Sequence, residues 1–210
     1  MKNYKDNIIL IGPLATGKSF IAEKLSLATG LCNHPVDKLK WYYRLQNGYN
    51  LSESTQILRS QGFEALISHA QQYFGAKEIM HLLRKFKGII DLGASDTHCQ
   101  NLSRLQELNA VLEPFQNVFL ILPSKDEKMS IEILNDRLET RYKQDPLKKP
   151  VIESYLRMNE IFVKSESTKM LAKHIIYTDE KPIGHIVQEI LMKSNYTNYE
   201  TATLNLQKVS

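Results

Sequence analysis

Eight residues carry the strongest chemical signal in this chain: Gly12-x-x-x-x-Gly17-Lys18-Ser19, preceded by the apolar run Ile8-Ile9-Leu10-Ile11 and followed by Ile21, Leu25 and Ala28 at helical spacing. Glycines at these positions let the backbone curl so that successive amide N–H groups point at one phosphate, and the helix that follows adds the positive end of its dipole. A lysine next to the second glycine reaches the β and γ phosphates, and a serine after it reaches Mg²⁺. The pattern therefore implies a nucleoside triphosphate with its metal, ATP and Mg²⁺. Gly12, Ala15, Thr16, Gly17, Lys18, Ser19 and Phe20 are the residues expected to line it.

Phosphoryl transfer asks for charge neutralisation and in-line geometry more than covalent help, so a triphosphate cradle, one metal and one carboxylate near an acceptor hydroxyl suffice. Asp37 and Asp91 both stand at the carboxyl ends of predicted parallel strands, the edge where doubly wound sheets place ligands. Asp37 would orient or deprotonate the acceptor, or else cap the helix it begins. Asp91 would hold the water shell of Mg²⁺, or else serve as a strand-end turn residue. Arg137 and Arg141, one turn apart before a proline-bearing segment, would reach the nucleotide when that segment closes, or else lie solvated on a surface helix. Trp41, Tyr42 and Tyr43 follow Asp37 and would wall a planar acceptor, although plain core is the commoner fate of such aromatics. Cys32-x-His34 and His98-Cys99 raise zinc, but neither has the usual paired spacing.

The elements that must position these residues follow from periodicity. Continuous apolar runs at Ile8–Ile11 and Val118–Leu122 read as strands buried on both faces, with further strands at Leu31–Val36, from Lys87 towards Ser95, and at His174–Thr178. Between them lie helical patterns: one to Gly30, a helical insertion over about 38–86 with breaks near Gly48 and Gly62, Leu102–Leu112, about 128–141, a long helix over about 151–173, and a last helix opened by Pro182. Within the insertion Phe63, Leu66, Ile67, Ala70 and Phe74 mark one apolar face. Alternating strands and helices predict a doubly wound, five-stranded parallel sheet in one α/β domain over 1–193, with a lid over about 142–150 and a polar, frayed tail over 194–210.

Composition narrows the classes. The chain has 210 residues, a formal net charge of +4 without a dense basic stripe, two cysteines, and no apolar run of membrane-spanning length. These features argue against nucleic-acid and membrane partners and predict a cytoplasmic protein, monomer or homodimer, acting on a small-molecule acceptor.

Strand, loop, short strand with an aspartate, helical insertion, glycine turn and charged lid come in an order that resembles shikimate kinase, in the nucleoside-monophosphate-kinase branch of P-loop proteins, over about residues 7–193. The resemblance implies that Asp37 meets the acceptor hydroxyl, that Gly93 and Arg157 help bind the acceptor, and that Arg137 lies on the nucleotide side. Several positions depart from the family pattern: Pro35 replaces the metal-side aspartate of Asp-x-Asp, Glu64 and Ile67 replace the arginine and glutamate of Phe-Arg-x-x-Glu, and Asp145 replaces the lid arginine. A glutamate where a carboxylate-binding guanidinium should stand repels the same anion, so the acceptor is expected not to be shikimate. Arg59, four residues before Phe63, is a candidate displaced guanidinium, or a surface helix arginine. The alternatives are a non-catalytic nucleotide-binding regulatory protein whose acceptor pocket is plugged, and a nucleoside or nucleotide kinase with the aromatics after Asp37 as base pocket.

Overall fold

The computed structural model describes residues 7–143, 149–194 and 196. Its elements run β1 (Ile8–Ile11), α1 (Lys18–Thr29), β2 (Asn33–Pro35), α2 (Val36–Gln46), α3 (Leu51–Gln61), α4 (Phe63–Gln71), α5 (Ala76–Lys85), β3 (Ile89–Asp91), α6 (Leu102–Leu112), β4 (Val118–Leu122), α7 (Glu127–Tyr142), α8 (Lys149–Val163), α9 (Glu166–Leu171), β5 (His174–Tyr177) and α10 (Ile183–Lys193). The five strands form one parallel sheet in the order β2-β3-β1-β4-β5.

Two-residue alternation in β1 divides the core between the faces of this sheet. Ile9 and Ile11 join Leu82, Leu83, Leu108 and Leu112 on one side, while Ile8 and Leu10 join Leu25, Val187 and Ile190 on the other. Helices α5 and α6 thus cover one face, and α1 and α10 the other. With both faces covered, every residue of β1 and β4 is buried. Register sets Leu10 beside Asp91 and Pro35 beside Asp91 across the three neighbouring strands. All three therefore finish at one edge, next to the loop that leads into α1.

Several boundaries differ from expectation for local reasons. Strand β2 is shorter than Leu31–Val36, because the Leu31 amide donates to Thr29 Oγ1 and Val36 already begins a helix. The insertion breaks a third time at Gly75, whose amide donates to Glu78 Oε2 at 2.9 Å. The expected single helix over 151–173 is two, since Ser165 accepts the Thr168 amide and restarts the chain as α9. Trp41 and Tyr42 are 43% and 61% exposed rather than core. Tyr43 is half-buried, its ring centre 6.1 Å from that of Phe74 in an edge-on arrangement. Of the expected lid, residues 144–148 lie outside the described residues, as does most of the expected tail. Ser194 is buried, and Tyr196 donates its hydroxyl to the Thr29 carbonyl and packs against the core, so the chain is held beyond residue 193.

Candidate functional site

Gly12 leaves β1 at φ +138°, and a Cβ there would stand 2.6 Å from the Ile121 carbonyl oxygen, so only glycine lets the loop turn against β4. Ala15 and Gly17 follow in left-handed conformations, φ +58° and +86°, and Thr16 ties the loop by donating its hydroxyl to the Pro13 carbonyl. An alanine held at positive φ is strained, and such successions of turned peptides present N–H groups into one concavity. Helix α1 begins at Lys18, directly behind it.

The Lys18 ammonium is buried and donates to the carbonyls of Gly12 and Pro13 at 2.8 and 2.7 Å. Burial pulls its pKa below the ordinary lysine value, and the nearby Asp91 carboxylate opposes that pull. Ser19 donates its hydroxyl to Asp91 Oδ2 at 2.6 Å. Burial pushes the Asp91 carboxyl up, against the Lys18 charge and the Ser19 hydroxyl. Arg137 reaches the loop through Nη1, 3.4 Å from the Ala15 carbonyl, whereas Arg141 is exposed on the last turn of α7. Phe20 is 52% exposed, facing away from the core.

On the other side of the sheet edge, Asp37 lies in the first turn of α2. It makes no cap bond, since Pro35 is the residue at the N-cap position. Its carboxylate pairs instead with Lys40, and Lys40 also lies 3.4 Å from the buried Asp96 carboxylate. Burial alone would lower the Lys40 pKa, but Asp96 and Asp37 outweigh it and hold the ammonium above its usual range. Asp96 Oδ2 in turn accepts the Gly93 amide at 2.8 Å. A Cβ on Gly93 would lie 2.5 Å from Asp37 Oδ1 and 2.7 Å from Lys40 Nζ, so this turn admits no side chain without displacing the ion cluster.

Beside Asp37 opens a cavity of about 320 Å³, walled by Leu14, Lys40, Trp41, Arg44, Tyr49 and Phe63, with Leu66, Ile67, Ala70, Ala94, Ser95, Tyr155 and Phe162 completing it. It is open space, not a plug of side chains, and its volume is that of a small-molecule site. Arg157 lines a neighbouring cleft with Gln61, Gly62, Glu64 and Met158, and Phe63 stands between the two recesses. Arg59 is exposed on α3 and lines neither. Zinc finds no support: among the described residues no group of three or more His, Cys, Asp or Glu could hold a metal ion by itself. His34 bonds the Lys87 carbonyl and His98 bonds Ser165.

Sequence reasoning missed four site residues. Lys40 and Arg44 follow Asp37 at i+3 and i+7, one face of a helix, a spacing that could have been read. Asp96 lies five residues beyond Asp91 in a stretch that looked like an ordinary turn. Asn159, fully buried on α8, accepts the Leu14 amide at 3.0 Å and so fixes the phosphate loop from 145 residues away, a link no local pattern announces.

No family model and no curated protein matches the sequence. Solved structures do match. The chain is similar to a shikimate kinase from Acinetobacter baumannii in complex with shikimate (17% identity, 90% of this chain and 94% of that one, TM-score 0.56). It is also similar to shikimate kinases from Bacteroides thetaiotaomicron (13%, 89% and 96%, 0.54) and Aquifex aeolicus (19%, 91% and 97%, 0.50). Likeness over nine tenths of the chain at such low identity, together with the parallel sheet and the loop entering α1, establishes that this chain has the shikimate kinase-like P-loop fold.

Proposed function

We propose that this chain is an ATP-dependent kinase that phosphorylates a hydroxyl of a small-molecule acceptor other than shikimate. The observation that carries the reading is the Ser19–Asp91 hydrogen bond under the loop, with an open cavity beside Asp37 at the same sheet edge. A decayed acceptor site, the basis of a purely regulatory nucleotide-binding protein, would be expected to be filled.

The residues fit a magnesium nucleotide. The amides of the loop and the first turn of α1 offer donors to phosphate oxygens, and Lys18 would exchange its two carbonyl partners for them. Ser19 and Asp91 form an oxygen donor pair of the sort Mg²⁺ takes together with waters and phosphates, and Pro35 beside Asp91 adds no second carboxylate. The ion, when bound, neutralises charge on the transferring phosphoryl group. Asp37 would accept the proton of the acceptor hydroxyl, held in place by Lys40, while the bare Gly93 backbone leaves room for the ion cluster that positions it rather than for the acceptor itself. Arg137 would add positive charge at the nucleotide side of the loop.

The test combines calorimetric titration of Mg²⁺ with a non-hydrolysable ATP analogue and an ADP-release assay over a panel of small alcohols. Saturable binding that is lost in Lys18→Ala, with ADP release stimulated by an alcohol and not by shikimate, is expected. Absence of nucleotide binding, or efficient turnover of shikimate, would overturn the reading.

A further inference from the structure

Among the described residues, Arg44 is a buried cation without an acid of its own. It is 9% exposed in the cavity wall, and its Nε is buried with no hydrogen-bond partner. The two carboxylates of the ion cluster at this sheet edge, Asp37 and Asp96, are both engaged by Lys40. What surrounds the guanidinium is aromatic: its central carbon lies 5.5 Å from the ring centres of both Trp41 and Tyr49. Cation–π contacts of this kind offset part of the cost of burying a charge, and a planar guanidinium so clamped is preorganised to meet a carboxylate with two parallel hydrogen bonds. Among the described residues no carboxylate pairs with this charge, and the guanidinium lies in the wall of an open cavity where a ligand anion could meet it.

The rest of the cavity specifies what else that ligand must be. Phe63, Tyr155 and Phe162 line it with Trp41 and Tyr49, and Phe63 and Tyr155 meet edge to face at 5.3 Å. Walls of this composition favour a flat, apolar body over a polyol. Asp37 and Arg44 are seven residues apart on α2, roughly 10 Å along a helix axis, which leaves room for one ring between a hydroxyl at Asp37 and an anion at Arg44. Glu64, at the position where the resembled family has its carboxylate-binding arginine, lies in the adjacent cleft instead.

We propose that the acceptor is an aromatic alcohol carrying one carboxylate, and that Arg44 is the residue that selects it. The inference rests on reading this cavity as the acceptor site of the kinase proposed above.

Trp41 is the only tryptophan of the chain and stands in the cavity wall, so its fluorescence reports occupancy without any need for turnover. The full chain is titrated with 4-(hydroxymethyl)benzoate, benzyl alcohol, shikimate and AMP. Saturable quenching by 4-(hydroxymethyl)benzoate is expected, at least about tenfold tighter than by benzyl alcohol, the scale of one charge-assisted hydrogen-bonded pair. Arg44→Met should abolish that preference, and Arg44→Lys should restore part of it. Equal affinities for the two ring compounds, a preference that survives in Arg44→Met, or tighter binding of shikimate or AMP would overturn the proposal. If Arg44→Met does not fold, the wild-type comparison decides alone. Thermal shift with the Mg²⁺ nucleotide analogue, run on the same samples, separates the two readings. Nucleotide binding without benzoate preference removes this inference only, while benzoate preference without nucleotide binding removes the kinase and leaves the recognition.

Discussion

Asp91, the last residue of β3, accepts the Ser19 hydroxyl at 2.6 Å, joining the end of the phosphate motif to a carboxylate 72 positions away. If this pair positions Mg²⁺, each partner alone should matter about as much as both. Ser19→Ala and Asp91→Asn should each weaken Mg²⁺-nucleotide binding by about tenfold or more, and the double variant should lose much less than the product of the two. Calorimetry in a double-mutant cycle measures the coupling. Strictly additive losses would show two independent residues.

Lys40 stabilises the site through two carboxylates, one of them deeply buried. Lys40→Met leaves Asp96 uncompensated and should cost about 3 kcal/mol of stability. The folded pKa of Lys40 lies above its unfolded value, so the contribution is complete below about pH 10.5 and is lost as pH rises through the folded value. The difference in urea midpoint between wild type and Lys40→Met should accordingly be constant from pH 7 to 10 and shrink above that. A gap that widened with rising pH would contradict the assigned ion cluster.

The sheet, the loop and two of the aspartates were legible because their signals are local. A four-residue apolar run followed by a glycine-spaced loop and a 3.6-residue pattern leaves few alternatives, and Val118–Leu122 and Leu102–Leu112 appear with the expected ends. The insertion was legible only as helix. Its breaks at Gly48 and Gly62 carry glycine at positive φ, whereas the break at Gly75 depends on a Glu78 side chain reaching back. The cavity wall was least legible, because Trp41 and Arg44 acquire their meaning from Tyr49, Phe63 and Tyr155, residues brought alongside by tertiary packing.

Gly93 is required for space. An added methyl would intrude on Asp37, Lys40 and Asp96 side-chain ends, which can shift at modest cost to the fold but only by taking the cluster apart. Gly93→Ala should lower the melting temperature by a few degrees, in keeping with a loss of roughly 1 kcal/mol. It should reduce turnover far more, with nucleotide affinity unchanged. A stability loss without a catalytic one would separate Gly93 from the site.

Asn159 offers a test of the phosphate loop that touches no phosphate. Its Oδ1, on a fully buried side chain, accepts the amide of the half-buried Leu14 at 3.0 Å, so Asn159→Leu leaves that N–H without its partner at a cost of about 1 kcal/mol. Because the loop is what loosens, nucleotide affinity should fall along with stability. Nucleotide-induced stabilisation, measured as the shift in melting temperature, should be visibly smaller than in wild type. A shift equal to that of wild type would make Asn159 a fold residue alone.

Asp37 separates catalyst from passive binder. It is largely exposed, caps no backbone amide, and is held by Lys40 beside the open cavity, so removing its charge disturbs little of the core. Asp37→Asn keeps the shape of the side chain and removes its basicity. Turnover of an acceptor found in the ADP-release screen should fall by about a hundredfold, the scale of a positioned general base, while the affinity for the Mg²⁺ nucleotide stays within about threefold of wild type. Recovery of rate at higher pH would be incomplete, because an amide cannot take up the hydroxyl proton and only the fraction of ionised acceptor grows. If Asp37→Asn turns over at the wild-type rate, the proton leaves by another route, and the aspartate serves only to hold Lys40 in place.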